Sequence, residues 1–172
     1  MTTNLVSKIH AGIEGTYSGA SAYSTQNDLT TFTKQSLAPI PLDSGTATGQ
    51  ADTLFTGERT LSASASENLD FAGALTDNLG NTLTFGHIKA LEIEADAGNT
   101  NSVIVGATAS NQFIAGFGGA THSWTLGPGD RMVVYSKAGW AVTPSTGDLL
   151  KVANSGSGTS VKYRITALGT SN

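Results

Sequence analysis

Glu92, Glu94 and Asp96 alternate with Ile93 and Ala95. On a strand that spacing sends three carboxylates to one face, where they can hold a cation, share a proton as paired acids, or match a basic partner. A solvated face is the plainer reading, because carboxylates that move protons usually come from different elements facing a cleft. The three histidines, His10, His87 and His122, lie far apart and lack the spacing of a metal or deaminase site. His122 stands beside Ser123 and Trp124, with no acid nearby in sequence to orient its ring. Trp124, Tyr135 and Trp140, with Phe117, can stack against a sugar; packing into a core is the alternative, since each sits in or next to an apolar strand. The glycine-rich pieces Gly116-Phe117-Gly118-Gly119 and Gly156-Ser157-Gly158 precede no Gly-Lys-Ser/Thr and open no expected helix, so they read as turns, not phosphate cradles. No G-x-S-x-G elbow and no cysteine supplies a nucleophile. The expectation is therefore a protein that is not an enzyme, with no catalytic residue, no metal and no cofactor.

Composition narrows the remaining classes. The chain has 172 residues, the length of one ordinary domain. Nine Lys and Arg against 13 Asp and Glu give a net charge of -4, so no basic field is present to hold nucleic acid. Charged residues make up 13% of the chain, about half the usual ~25%, and Gly, Ser and Thr fill the difference. A surface with so little charge relies weakly on repulsion, which suits a protein that lives against neighbours. The apolar runs, such as residues 132–135, fall far short of the ~20 residues a membrane helix needs, and residues 1–11 hold no apolar core of signal-peptide length. No membrane partner is expected, and synthesis and folding are expected in a cytoplasm.

Positioning these side chains falls to strands. Short β-branched runs separated by turn residues recur from about residue 50 onward, at the ~8–12-residue spacing of sandwiches. In residues 161–168, Val161, Tyr163, Ile165 and Ala167 alternate with Lys162, Arg164 and Thr166. Residues 61–66 alternate in the same way, with Ala63 and Ala65 against serines. Further strands are expected at 53–60, 69–71, 83–94, 103–106, 123–126, 131–136, 140–142 and 149–153, bounded by turn sequences such as Asp77-Asn78-Leu79-Gly80-Asn81 and Gly127-Pro128-Gly129-Asp130. In 83–94 the parity breaks: Phe85, Leu91 and Ile93 share one face while Ile88 and Ala90 sit on the other, which implies a bulge or cover on both sides. The sum is an all-β fold, an antiparallel β-sandwich of the jelly-roll kind, over residues 51–172.

Residues 1–50 differ. Residues 11–26 are rich in Gly, Ser, Ala and Tyr, and Ala38-Pro39-Ile40-Pro41-Leu42 makes an extended step before a Gly/Thr stretch. This segment reads as an extended arm and linker that gains order by binding.

The runs Leu69-Asp70-Phe71-Ala72-Gly73-Ala74-Leu75-Thr76-Asp77, Gly80-Asn81-Thr82-Leu83-Thr84-Phe85 and Ile88-Lys89-Ala90-Leu91, residues 101–106, Gly127-Pro128-Gly129-Asp130, Gly139-Trp140-Ala141-Val142 and residues 147–154 together resemble the small structural proteins encoded among the head genes of tailed bacteriophages, the capsid decoration or cement proteins. The resemblance spans about residues 60–169, in turn and strand motifs. It implies a β-sandwich or jelly-roll module on the outside of the virion shell, often a homotrimer, which reinforces contacts between copies of the major capsid protein. Under that implication Leu5, Val6, Ile9, Ile13 and Tyr17 are arm anchors on the capsid, and Pro39, Ile40, Pro41 and Leu42 fix the arm's exit. The alternative for these residues is a strand and loop packed within their own chain. Glu92, Glu94 and Asp96 then stand as a charged contact face. A different function, a receptor- or carbohydrate-binding module of a head or tail fibre, would use Trp124, Tyr135 and Trp140 instead.

Overall fold

The computed structural model describes residues 5–10, 14–20, 27–33, 40–107, 110–114 and 116–171, with backbone alone for 14–20 and 27–33. All of its regular elements among these residues are β-strands. The chain divides into two compact units, one of Ser7–Leu42 and the other of Met1–Val6 with Asp43–Asn172.

The smaller unit carries paired strands where the sequence reading expects an extended arm. Strand β1 (Ser7–Ile9) lies antiparallel to the start of β4 (Ile40–Ser44), with Ile9 opposite Ile40 and Ser7 opposite Leu42. Strands β2 (Glu14–Ala20) and β3 (Asn27–Thr33) form an antiparallel pair. The β-branched threonines of β3 favour extended backbone, a preference masked by the Gly and Ser around it.

In the larger unit, residues 43–44 pair in parallel with β5 (Gln50–Ala51), and Gly49 N donates to the Lys137 carbonyl. Eight strands then build two antiparallel sheets. They are β6 (Thr53–Leu61), β7 (Ser66–Asp70), β10 (His87–Ala95), β11 (Val103–Gly106), β12 (Ser123–Leu126), β13 (Arg131–Ala141), β14 (Leu149–Asn154) and β15 (Val161–Thr170). One sheet has the order β13-β10-β15-β6 and the other β12-β11-β14-β7. The pairing is nested: among these eight the first strand pairs with the last, the second with the seventh, the third with the sixth and the fourth with the fifth. A small hairpin, β8 (Leu75–Thr76) and β9 (Thr82–Leu83), branches between β7 and β10.

Period-two alternation explains why the sheets close on each other. Inward positions Leu91, Ile93, Tyr163, Ile165 and Ala167 of one sheet meet Leu69, Val103, Val105, Leu150 and Val152 of the other in a single apolar core. Phe71 sits at its centre, edge-on to Phe85 and Phe113 at centroid distances of 5.8 and 5.3 Å. One polar tie crosses the interior: the buried Tyr163 hydroxyl donates to Glu67 at 2.8 Å, and Arg59 pairs with the same carboxylate at 2.9 Å. Burial pushes the Tyr163 phenol well above its ordinary range, and the bond to Glu67 adds to the shift.

Several strand boundaries differ from expectation, and the strand expected at 69–71 begins earlier, as β7. Residues 62–65 form a turn with Ser64 at φ 58°, because an alternation of Ala and Ser buries too little to hold a strand. The expected 83–94 strand divides into β9 and β10, and the register shifts between Ile88 and Ala90 in both neighbouring ladders, which is where the parity breaks. The strands expected at 131–136 and 140–142 are one strand, β13, continuing through Gly139 at φ 90°.

Candidate functional site

The outer face of the β13-β10-β15-β6 sheet carries most of the charge singled out above. Because directly opposite residues share a face, Arg131, Glu94, Arg164 and Glu58 form one row across all four strands, alternating in sign. Arg131 bridges Glu94 at 2.7 Å and Glu92 at 3.2 Å, and Arg164 pairs with Glu58 at 3.1 Å. The hydrogen bond and charge of Glu94, then the charge of Glu92, hold the Arg131 guanidinium above its ordinary value. Glu92 and Glu94 are thus neutralised in part by an arginine from the neighbouring strand. Asp96 does different work: its Oδ1 accepts from Gly98 N at 2.8 Å and shapes the turn after β10.

Two shallow hollows lie along β6. The first, about 370 Å³, is lined by Thr56, Glu58, Glu92, Glu94, Arg164 and Asn78 among others. The second, about 630 Å³, is lined by Leu5, Asp52, Leu54, Asp77, Leu79 and Leu83 among others. Thr56 and Asn78 line both, so the two adjoin, and together they are treated as one groove. One half is charged and the other is rich in leucine. The loop 77–81 between β8 and β9 walls the leucine half, and Leu79 at its tip is 81% exposed.

The arm residues scatter. Leu5 lines the leucine half of this groove, and Val6 is exposed. Ile9 and Leu42 are buried on the paired strands β1 and β4, Ile40 is half-buried and Pro41 is exposed. Tyr17 lies on β2 opposite Thr30. Ile13 and Pro39 fall outside the described residues.

The aromatic residues do not share a surface. Trp124 is 51% exposed on β12, at the edge of one sheet, beside a hollow of about 360 Å³ lined by Leu126, Met132 and Val133. Tyr135 and Trp140 lie on β13 of the other sheet. Trp140 pairs with the buried Ile88 and packs against the core, whereas Tyr135 pairs with Ala90 on the outer face. His122 is tied locally, its Nδ1 2.9 Å from the Phe117 carbonyl oxygen.

Comparison with family models, curated proteins and solved structures finds no match for the chain. Its surfaces must therefore be read on their chemistry. No helix among the described residues is long and apolar enough to cross a membrane.

Sequence reasoning missed Leu54, Leu79 and Leu83. Leu54 is the first outward residue of an expected strand, and Leu79 stands alone among turn formers. No sequence signal marks them, because a single apolar residue in a turn is ordinary and only the fold brings these leucines together.

Proposed function

We propose that the chain is a structural, non-enzymatic protein of a tailed-bacteriophage virion, which binds the outside of the capsid and stabilises contacts between major capsid subunits. The observation that carries this reading is the nested pairing of the eight sandwich strands, which supports a jelly roll, a fold recurrent among viral shell domains. The motif resemblance over about residues 60–169 points the same way. So does a surface that offers open grooves and exposed apolar side chains for a partner. Many copies binding the assembled shell and not its dissociated subunits would raise shell stability by mass action. Association of the chain with itself, as a trimer, belongs to the same proposal.

The second reading, a carbohydrate-binding module, draws support from Trp124, whose exposed ring borders a hollow. Co-sedimentation separates the two. Purified chain mixed with undecorated phage heads should pellet to a saturating ratio, and a glycan array should stay blank. Glycan binding lost on Trp124→Ala, with no pelleting, would transfer the function to the sugar reading.

A further inference from the structure

The loop 77–81 is built more rigidly than an exposed turn requires. Asp77 Oδ1 accepts from Leu79 N and Asn81 N, both at 2.8 Å, and its Oδ2 accepts from Asn81 Nδ2 at 2.9 Å. Asp77 N donates to the Asn81 carbonyl at 2.9 Å, and Gly80 N to the Asp77 carbonyl at 3.0 Å. What this scaffold presents to solvent is Leu79. Because these bonds hold the backbone that carries Leu79, less chain freedom is lost when it docks than from an open loop. Behind it lies the leucine half of the groove, with Leu54 itself 39% exposed.

Charge decides what occupies the groove. Asp52 and Asp77 border the leucine half, and Glu58, Glu92 and Glu94 border the other half, against Arg164 there and Arg131 behind Glu92 and Glu94. Acidic side chains outnumber basic ones along both hollows, so a second copy presenting this same surface would bring like charge to like charge, which disfavours self-association through this groove. A segment with apolar side chains between basic ones meets both halves of the groove.

We propose that the groove along β6, anchored by Leu79, Leu54 and Leu5, is the docking site for an apolar segment flanked by Lys or Arg from a different protein. The proposal rests on the adhesion reading above and names the surface that performs it. Leu79→Ser should leave the fold intact, since the residue contributes nothing to the core, and Leu54→Thr serves as a second variant on a β-compatible side chain.

The probes are two synthetic peptides sharing one leucine pattern, one flanked by lysines and the other by glutamates, titrated into the full chain by calorimetry and amide chemical-shift mapping. The lysine peptide should bind saturably, with shifts at Thr56, Asn78 and Leu79. Leu79→Ser should weaken it by about tenfold, as for an interface anchor. Raising salt to about 0.5 M should weaken it severalfold. The glutamate peptide should not bind. Equal binding of both peptides, binding of neither, or a concentration-dependent dimer abolished by Leu79→Ser would each overturn the proposal. Heads that still capture Leu79→Ser as well as the parent would also overturn it, while sparing the adhesion reading. A chain that binds the lysine peptide but no heads would sink the adhesion reading alone.

Discussion

Phe71 and Leu79 are apolar residues of neighbouring stretches of chain with opposite fates. Phe71 is fully buried between two aromatic partners, whereas Leu79 stands in solvent on a loop held by Asp77. The contrast extends to whole surfaces. Inward positions of the sheets are apolar and close on one another, and outward positions of the β6-bearing sheet carry a charge row and a leucine-lined groove. The core and the exposed leucines Leu54 and Leu79 thus occupy different positions, so substitutions can reach one without the other.

The largest loss should follow Phe71→Ala, which removes a ring with no exposed surface and leaves a cavity between Phe85 and Phe113. About 3–5 kcal/mol of unfolding free energy should disappear, measured by urea titration. Gly169→Ala comes next. Its methyl would overlap the carbonyl oxygen of His87 and lie 2.8 Å from Phe85 Cδ1, so β15 and β10 must part at the bulge. A loss of about 3 kcal/mol is expected in the same titration.

Tyr163→Phe should cost about 1–2 kcal/mol, since Glu67 keeps Arg59 when the hydroxyl goes. This residue also sets an alkaline limit. Its phenol is held neutral in the fold, so its contribution is intact below the ordinary tyrosine pKa of about 10 and is lost as pH rises beyond it. Thermal midpoints across alkaline pH should fall more steeply for the parent than for Tyr163→Phe.

Much of the interior was legible because burial and period two write themselves into sequence. Val161, Tyr163, Ile165 and Ala167 announce β15, and the parity break around Ile88 marks the bulge where both ladders shift register. Residues 62–65 misled, because small side chains alternate without burying enough to matter. The outer surface was harder. Glu92 and Glu94 could be placed on one face, but Arg131, which pairs with both, and Arg164, set opposite Glu94, come from strands distant in the chain. The groove is assembled from Leu5, Leu54, Leu79 and Leu83, which share no period and meet only because the β8–β9 hairpin stands beside β6.

The smallest effects are expected on that outer surface. Arg131→Gln should lower the melting temperature slightly at low salt and not at all in about 0.5 M NaCl, because its pairs with Glu92 and Glu94 are largely exposed. Leu79→Ser should change stability by no more than about 0.5 kcal/mol while weakening docking about tenfold. A large stability loss in Leu79→Ser would erase the division between the two surfaces.

The central claim, that the chain acts by adhering to an assembled shell, is tested most directly by the heat-disruption temperature of undecorated phage heads titrated with the purified chain. The account predicts a rise that levels off once the sites are filled, and for Leu79→Ser the same rise displaced to about tenfold higher concentration. A disruption temperature unchanged at every concentration of the parent chain would contradict it.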